Sequence, residues 1–212
     1  MTRGGQRLRR NNAKSARRKA AVATKRMANP TPNSLTKSIG FAAKLPIAYC
    51  VMTEDLLGTG LGEVILARAL PSGKLGCAFV LIDTYCLGAK DAFYRELPRG
   101  EFHSHIQAQP QGRAFTEIDP SFARKLINDA VAYAAGLGID AHKDFAAVEE
   151  IFGSVDASKC GETFSFGKNG KPLYIPGPLD TPDRIAIVGE ILRSLGSEHE
   201  EKIAKRPWWK FW

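Results

Sequence analysis

The sequence predicts an α+β fold: an antiparallel β meander, then a helical hairpin, a β-hairpin and a C-terminal helix, all behind a disordered basic arm. Three observations predict it. Residues 75–86 are almost continuously apolar apart from Asp83 and Thr84, and a run this short, rich in Phe79, Val80, Leu81 and Ile82, suits a strand covered on both faces. Two further strand-like segments precede it, joined by turn residues. The second half instead shows apolar residues at helical spacing behind Asp-Pro and Thr-Pro starts.

In chain order, Ile47–Thr53 reads as the first strand. Gly58, Gly60 and Gly62 then interrupt the chain. They invite a phosphate-loop reading, but no Gly-Lys-Ser/Thr follows and no helix opens after a strand. A strand over 64–70 fits better, with a hairpin bulge at the glycines. Pro71-Ser72-Gly73-Lys74 is a turn, and the central strand completes a three-stranded meander. Residues 87–95 read as a short helical turn after a break at Leu87-Gly88. Residues 97–118 contain Pro98, Gly100, Pro110 and Gly112 and read as a long irregular loop.

Asp119 caps a helix that opens on Pro120, along which Phe122, Leu126, Ile127, Ala130, Val131 and Ala134 recur at helical spacing, ending at Gly136 and Gly138. A second helix is expected over 140–152, forming an antiparallel hairpin with the first. Strands at 163–166 and 173–175 flank Lys168-Asn169-Gly170, a turn signal. Thr181 caps a last helix with Pro182 at its first position, stopped by Gly196.

The domain organisation follows from composition. Residues 1–30 form a basic arm, 31–44 a linker, 45–196 a single domain, and 197–212 a basic aromatic tail. The chain of 212 residues suits one domain with extensions. Its formal net charge is +8, from 30 basic and 22 acidic residues. Ten of the basic residues, Arg3, Arg7, Arg9, Arg10, Lys14, Arg17, Arg18, Lys19, Lys25 and Arg26, lie in residues 1–30, which hold no acid. The remaining 20 stand against all 22 acids, so residues 31–212 carry a net charge of −2. The excess positive charge belongs to the arm alone.

Such an arm suits a polyanion. Asn12 would cap a helix over 13–27, whose like charges repel until phosphates neutralise them. Arginine forks match phosphate geometry, and binding of this kind is strong, salt-sensitive and blind to sequence. Nucleic acid is the expected partner, RNA ahead of DNA, because arginine-rich segments often fold on structured RNA. An Arg-rich transit peptide, a patch for acidic lipids and a solubilising tail are the other readings. At the other end, Trp208, Trp209, Phe211 and Trp212 crowd together with four basic residues in 202–212. They are expected to dock on a partner protein or stack on bases, folding back on the body being the alternative.

No window approaches the roughly 20 apolar residues of a membrane helix, and no apolar core follows the first charges as in a secretory signal. A cytoplasmic location is expected. The cysteines, at 50, 77, 86 and 160, include no Cys-x-x-Cys pair, which argues against a zinc ribbon and for reduced, mostly buried thiols.

The words LIDTYCLGAKDAFY, GLGIDAHKDF, IFGSVDAS and FGKNGKPLYIPGP resemble those of an uncharacterised bacterial family with no assigned activity, over about 45–195. The resemblance implies a bacterial intracellular protein and assigns no residue a role.

Two function classes result. The favoured one is a nucleic-acid-binding accessory or adaptor protein within a ribonucleoprotein assembly, using the arm and tail and needing no cofactor or metal. The hairpin aromatics Phe164, Phe166 and Tyr174 beside Lys168 and Lys171 would extend that surface, or are simply the inward side of an ordinary half-buried hairpin. The alternative is a metal-dependent hydrolase, most simply a nuclease. Asp83 ends a buried strand, where a carboxylate is paired, capping or metal-bound. His103 and His105 point to one side if extended. With His142, or Asp140, they make a candidate ligand set.

Overall fold

The computed structural model describes residues 32–107, 114–177 and 180–196. The chain divides into two compact units, residues 1–38 and 39–212. The expected helix over 13–27, the ten arm cations and the tail aromatics lie outside the described residues.

The fold is α+β, built on a five-stranded antiparallel sheet of order β4-β3-β2-β1-β5. Helix α1 (Pro32–Ala42) precedes β1 (Ile47–Thr53). A single-turn helix α2 (Leu56–Thr59) leads into β2 (Leu61–Ala69), which hairpins into β3 (Leu75–Asp83) and then β4 (Gly88–Leu97). Helix α3 (Arg99–Gln107) and the short edge strand β5 (Phe115–Glu117) follow, then α4 (Pro120–Gly136), a short α5 (Phe145–Val148) continued as a 3-10 turn, and α6 (Pro182–Ser194).

β2 holds the middle of the sheet, and β3 is an interior strand next to the β4 edge. It pairs along its whole length with β2 on one side and β4 on the other. Eight of its nine residues are buried, as both-face burial requires. Leu75, Cys77 and Phe79 cluster with Val51, Ile65, Ala67 and Phe102 of α3. The alternate residues Ala78, Val80 and Ile82 are equally buried and point the other way, toward the side taken by α4 and α5. Phe79 stacks on Phe93 of β4 at 4.7 Å.

Several expectations are corrected. Residues 88–97 form a strand, in place of the helical turn expected over 87–95. Asp83 caps the β3–β4 reversal, and Lys90 is an extra residue in the ladder, since Leu81 faces Asp91 while Ile82 faces Ala89. That bulge breaks the alternation that would have betrayed the strand. Gly88, which looks like a breaker, has φ +62°, and a side chain there would meet the Ala130 carbonyl oxygen at 2.7 Å. It lets β4 pass close beneath α4.

The expected loop over 97–118 contains α3 and β5. Only Phe102 and Ile106 of α3 pack on the cluster, too few to show a period. The linker holds α1, whose Ile39 and Ala42 are fully buried. Gly60 ends α2 in the left-handed region, so Gly58 and Gly60 belong to a helical turn rather than a bulge, and Gly62 lies in β2. The helix expected over 140–152 is confined to α5 and its 3-10 extension. Of the expected hairpin at 163–175, one bridge remains, Lys168 to Lys171. Both caps hold: Asp119 accepts from Ser121 N–H and Thr181 from Arg184 N–H.

Candidate functional site

Asp83 stands at the end of β3 with its side chain buried. Its Oδ1 accepts from the backbone N–H of Tyr85 at 2.9 Å and of Cys86 at 3.0 Å. Burial pushes this carboxyl up to about 6; the Lys90 charge and the neighbouring N–H groups oppose the rise without cancelling it. Of the roles open to this carboxylate from the sequence, capping is the one the geometry provides.

Lys90 rises from the β4 bulge into a buried charge cluster. Its Nζ lies 2.9 Å from Asp180 Oδ2, with both side chains under a tenth exposed. It also donates to the Ile175 carbonyl at 3.3 Å and sits 5.7 Å from the centre of the Tyr174 ring. Asp180 accepts in turn from Gly177 N–H at 2.6 Å and faces Arg184 Nε at 3.8 Å. Backbone bonds run parallel to this pair: Gly167 N–H to the Thr84 carbonyl and Leu173 N–H to that of Tyr85. The cluster ties the β3–β4 turn to the segment leading into α6. Every charge in it is engaged internally, which suits a latch rather than a ligand site. From the sequence Lys90 reads as a partner for Asp83 or as the solvated start of a helix; its pairing with Asp180, ninety residues on, is not visible there.

The two histidines of the hydrolase reading are not extended. They lie on α3, where residues two apart point about 200° apart. His103 Nε2 is 3.3 Å from Tyr49 Oη, and its ring sits edge-on to Tyr49 and Phe102. His105 Nε2 is 2.9 Å from Glu63 Oε2, with its ring edge-on to Phe79. Glu63 is buried on β2, its N–H donating to Thr53 Oγ1 at 2.9 Å. Nothing in the sequence marks Glu63, which sits beside the glycines of the α2 turn. Each histidine is therefore a peg from α3 into the sheet, on different strands.

His142 is elsewhere again. Its N–H donates to the Ala89 carbonyl at 2.9 Å, and its ring nitrogens lie 3.6 Å from Asp91 and 4.0 Å from Asp144. Asp140 is exposed in the connection from α4 to α5. Asp83, His103, His105 and His142 are not brought together: among the described residues no three His, Cys, Asp or Glu side chains are placed to hold a metal ion. Nor do the buried thiols offer a nucleophile. Burial pushes Cys50, Cys77 and Cys86 up to about 12, far from the thiolate form at neutral pH.

The aromatics at 163–175 are spent on the body. Phe164 packs edge-on to Phe122 at 5.1 Å beneath Lys125 Nζ, and Phe166 stacks on Tyr133 at 5.3 Å. Tyr174 is buried. Phe164 and Phe166 are thus half-buried against α4.

Comparison of the chain with protein-family models, with curated proteins and with solved structures finds no match. Among the described residues no helix is long and apolar enough to cross a membrane.

Proposed function

We propose that the chain is a nucleic-acid-binding accessory protein, with RNA ahead of DNA as its ligand, in which residues 1–30 contact phosphates and the body serves as a folded carrier. One observation carries this reading. Ten Lys or Arg and no acid stand in residues 1–30, while residues 31–212 are slightly acidic. A segment of that composition neutralises several phosphates and releases their counterions. The buried cations of the body, Lys90 and Arg68, are engaged internally.

The test compares the full chain with a variant in which all ten arm cations are changed to Gln, on single-stranded RNA, duplex RNA and duplex DNA at low and physiological salt. Affinity for all three collapses in the variant if the reading holds. Unchanged affinity would remove it.

A further inference from the structure

Helix α6 carries two apolar stripes, one buried and one largely exposed. Val188 and Leu192 are buried against Cys86, Leu87, Ala134, Ile139 and Tyr174. The second stripe is Ile187, Ile191 and Leu195, spaced four residues apart, so the three side chains lie along one line of the helix and its C-terminal turn. Ile191 packs partly on the body, but Ile187 is 59% and Leu195 51% exposed. Along the outer margin of this stripe run Asp183 and Glu190, seven residues and two turns apart, both exposed. The strip is apolar, with two acids unpaired among the described residues, Asp183 and Glu190, on one margin. Of the helix's cations, Arg184 is turned to Asp180 and Arg193 lies on the far side, so the strip suits an apolar occupant that carries cations.

The chain supplies one. Gly196, with φ +68°, takes the left-handed position that turns the backbone after a helix. Beyond it, residues 202–212 hold Trp208, Trp209, Phe211 and Trp212 together with Lys202, Lys205, Arg206 and Lys210, and no acid. Length is no obstacle. Leu195 to Ile187 is about 12 Å along the helix, whereas the stretch from Gly196 to Trp208 reaches up to about 40 Å when extended.

We propose that residues 202–212 dock in cis on the Ile187–Ile191–Leu195 stripe, with their tryptophans on the isoleucines and their cations along Asp183 and Glu190. Docking at this seat meets the tail's need for cover within the chain itself, and it stands independently of the arm and its ligand.

All three tryptophans of the protein lie in this tail, at 208, 209 and 212, so selectively excited tryptophan emission reports on it alone. In the full chain without nucleic acid, emission is expected to be blue-shifted and shielded from acrylamide. Ile187→Asp should move it to the value of tryptophan in water and raise quenching several-fold, with circular dichroism unchanged because the site is exposed. Glu190→Lys, which disturbs no apolar packing, should do so in part. Solvent-like emission in the unmodified chain would overturn the proposal, as would shielding that Ile187→Asp leaves intact. Shielding lost on dilution together with a sedimenting dimer would place the tail on a second copy and overturn docking in cis.

Discussion

Lys90 and Asp180, ninety residues apart in the chain, meet at 2.9 Å inside the protein. The pair joins the bulged start of β4 to the segment that launches α6. Two buried charges of this kind contribute little net stability compared with apolar residues of the same shape, yet either one left alone is costly. Lys90→Met should therefore destabilise the protein by about 3–5 kcal/mol. The double variant Lys90→Met with Asp180→Leu should recover much of that loss. Denaturant unfolding of the two single variants and the double variant measures the coupling directly.

Asp83 gives the body a pH dependence of definite sign. Its folded value is raised to about 6 from 3.8 by burial. A raised acid binds its proton more tightly in the folded state. Its contribution is fully present below about pH 4 and is lost as the pH rises through about 6. At about 1.4 kcal/mol per tenfold change, the loss is on the order of 3 kcal/mol. Asp83→Asn keeps an oxygen for the Tyr85 and Cys86 N–H groups but cannot ionise. Its unfolding free energy should show a flatter slope between pH 4 and 6 than the unmodified chain, whatever other groups add in common.

Arg68 performs a similar joining task without an acid. From β2 its guanidinium donates to the carbonyls of Ile151 at 2.9 Å, Phe152 at 2.8 Å and Leu45 at 2.7 Å. It thereby satisfies the end of the 3-10 turn and the approach to β1 together. A lysine offers its donors from a single nitrogen and lacks the planar fork that reaches Leu45 from one nitrogen and Ile151 and Phe152 from another. Arg68→Lys should cost on the order of 3 kcal/mol, since carbonyls lose charged donors in a buried place. Thermal unfolding measures this, and hydrogen exchange should show the loss concentrated at 149–153.

What is legible in the sequence follows from how strongly local chemistry decides. The run at β3 has to be covered on both faces, and Asp119-Pro120 and Thr181-Pro182 have to start helices, because each needs only its neighbours to act. β4 is not legible, because a bulge at Lys90 and a cap from Asp83 erase its alternation. α3 is not, because two apolar residues, Phe102 and Ile106, cannot display a period. His103 and His105 look like an extended pair in sequence but stand on a helix and engage Tyr49 and Glu63 on different strands, and among the described residues no third ligand joins them. Lys90, Asp180, Glu63 and Arg68 become visible only through partners distant in sequence. Phe164 and Phe166 read equally as a stacking surface or as a half-buried hairpin, and only the fold shows that they pack on Phe122 and Tyr133.

The central claim is that the arm binds phosphates. Its most direct test is the salt dependence of RNA affinity for the full chain and for a variant with Arg3, Arg7, Arg9 and Arg10 changed to Gln. Log affinity should fall linearly with log salt, and the slope should shrink by about 0.7–0.9 for each phosphate the variant no longer neutralises, with little regard to RNA sequence. A slope near zero in the full chain, or one that the four substitutions leave unchanged, would contradict the account.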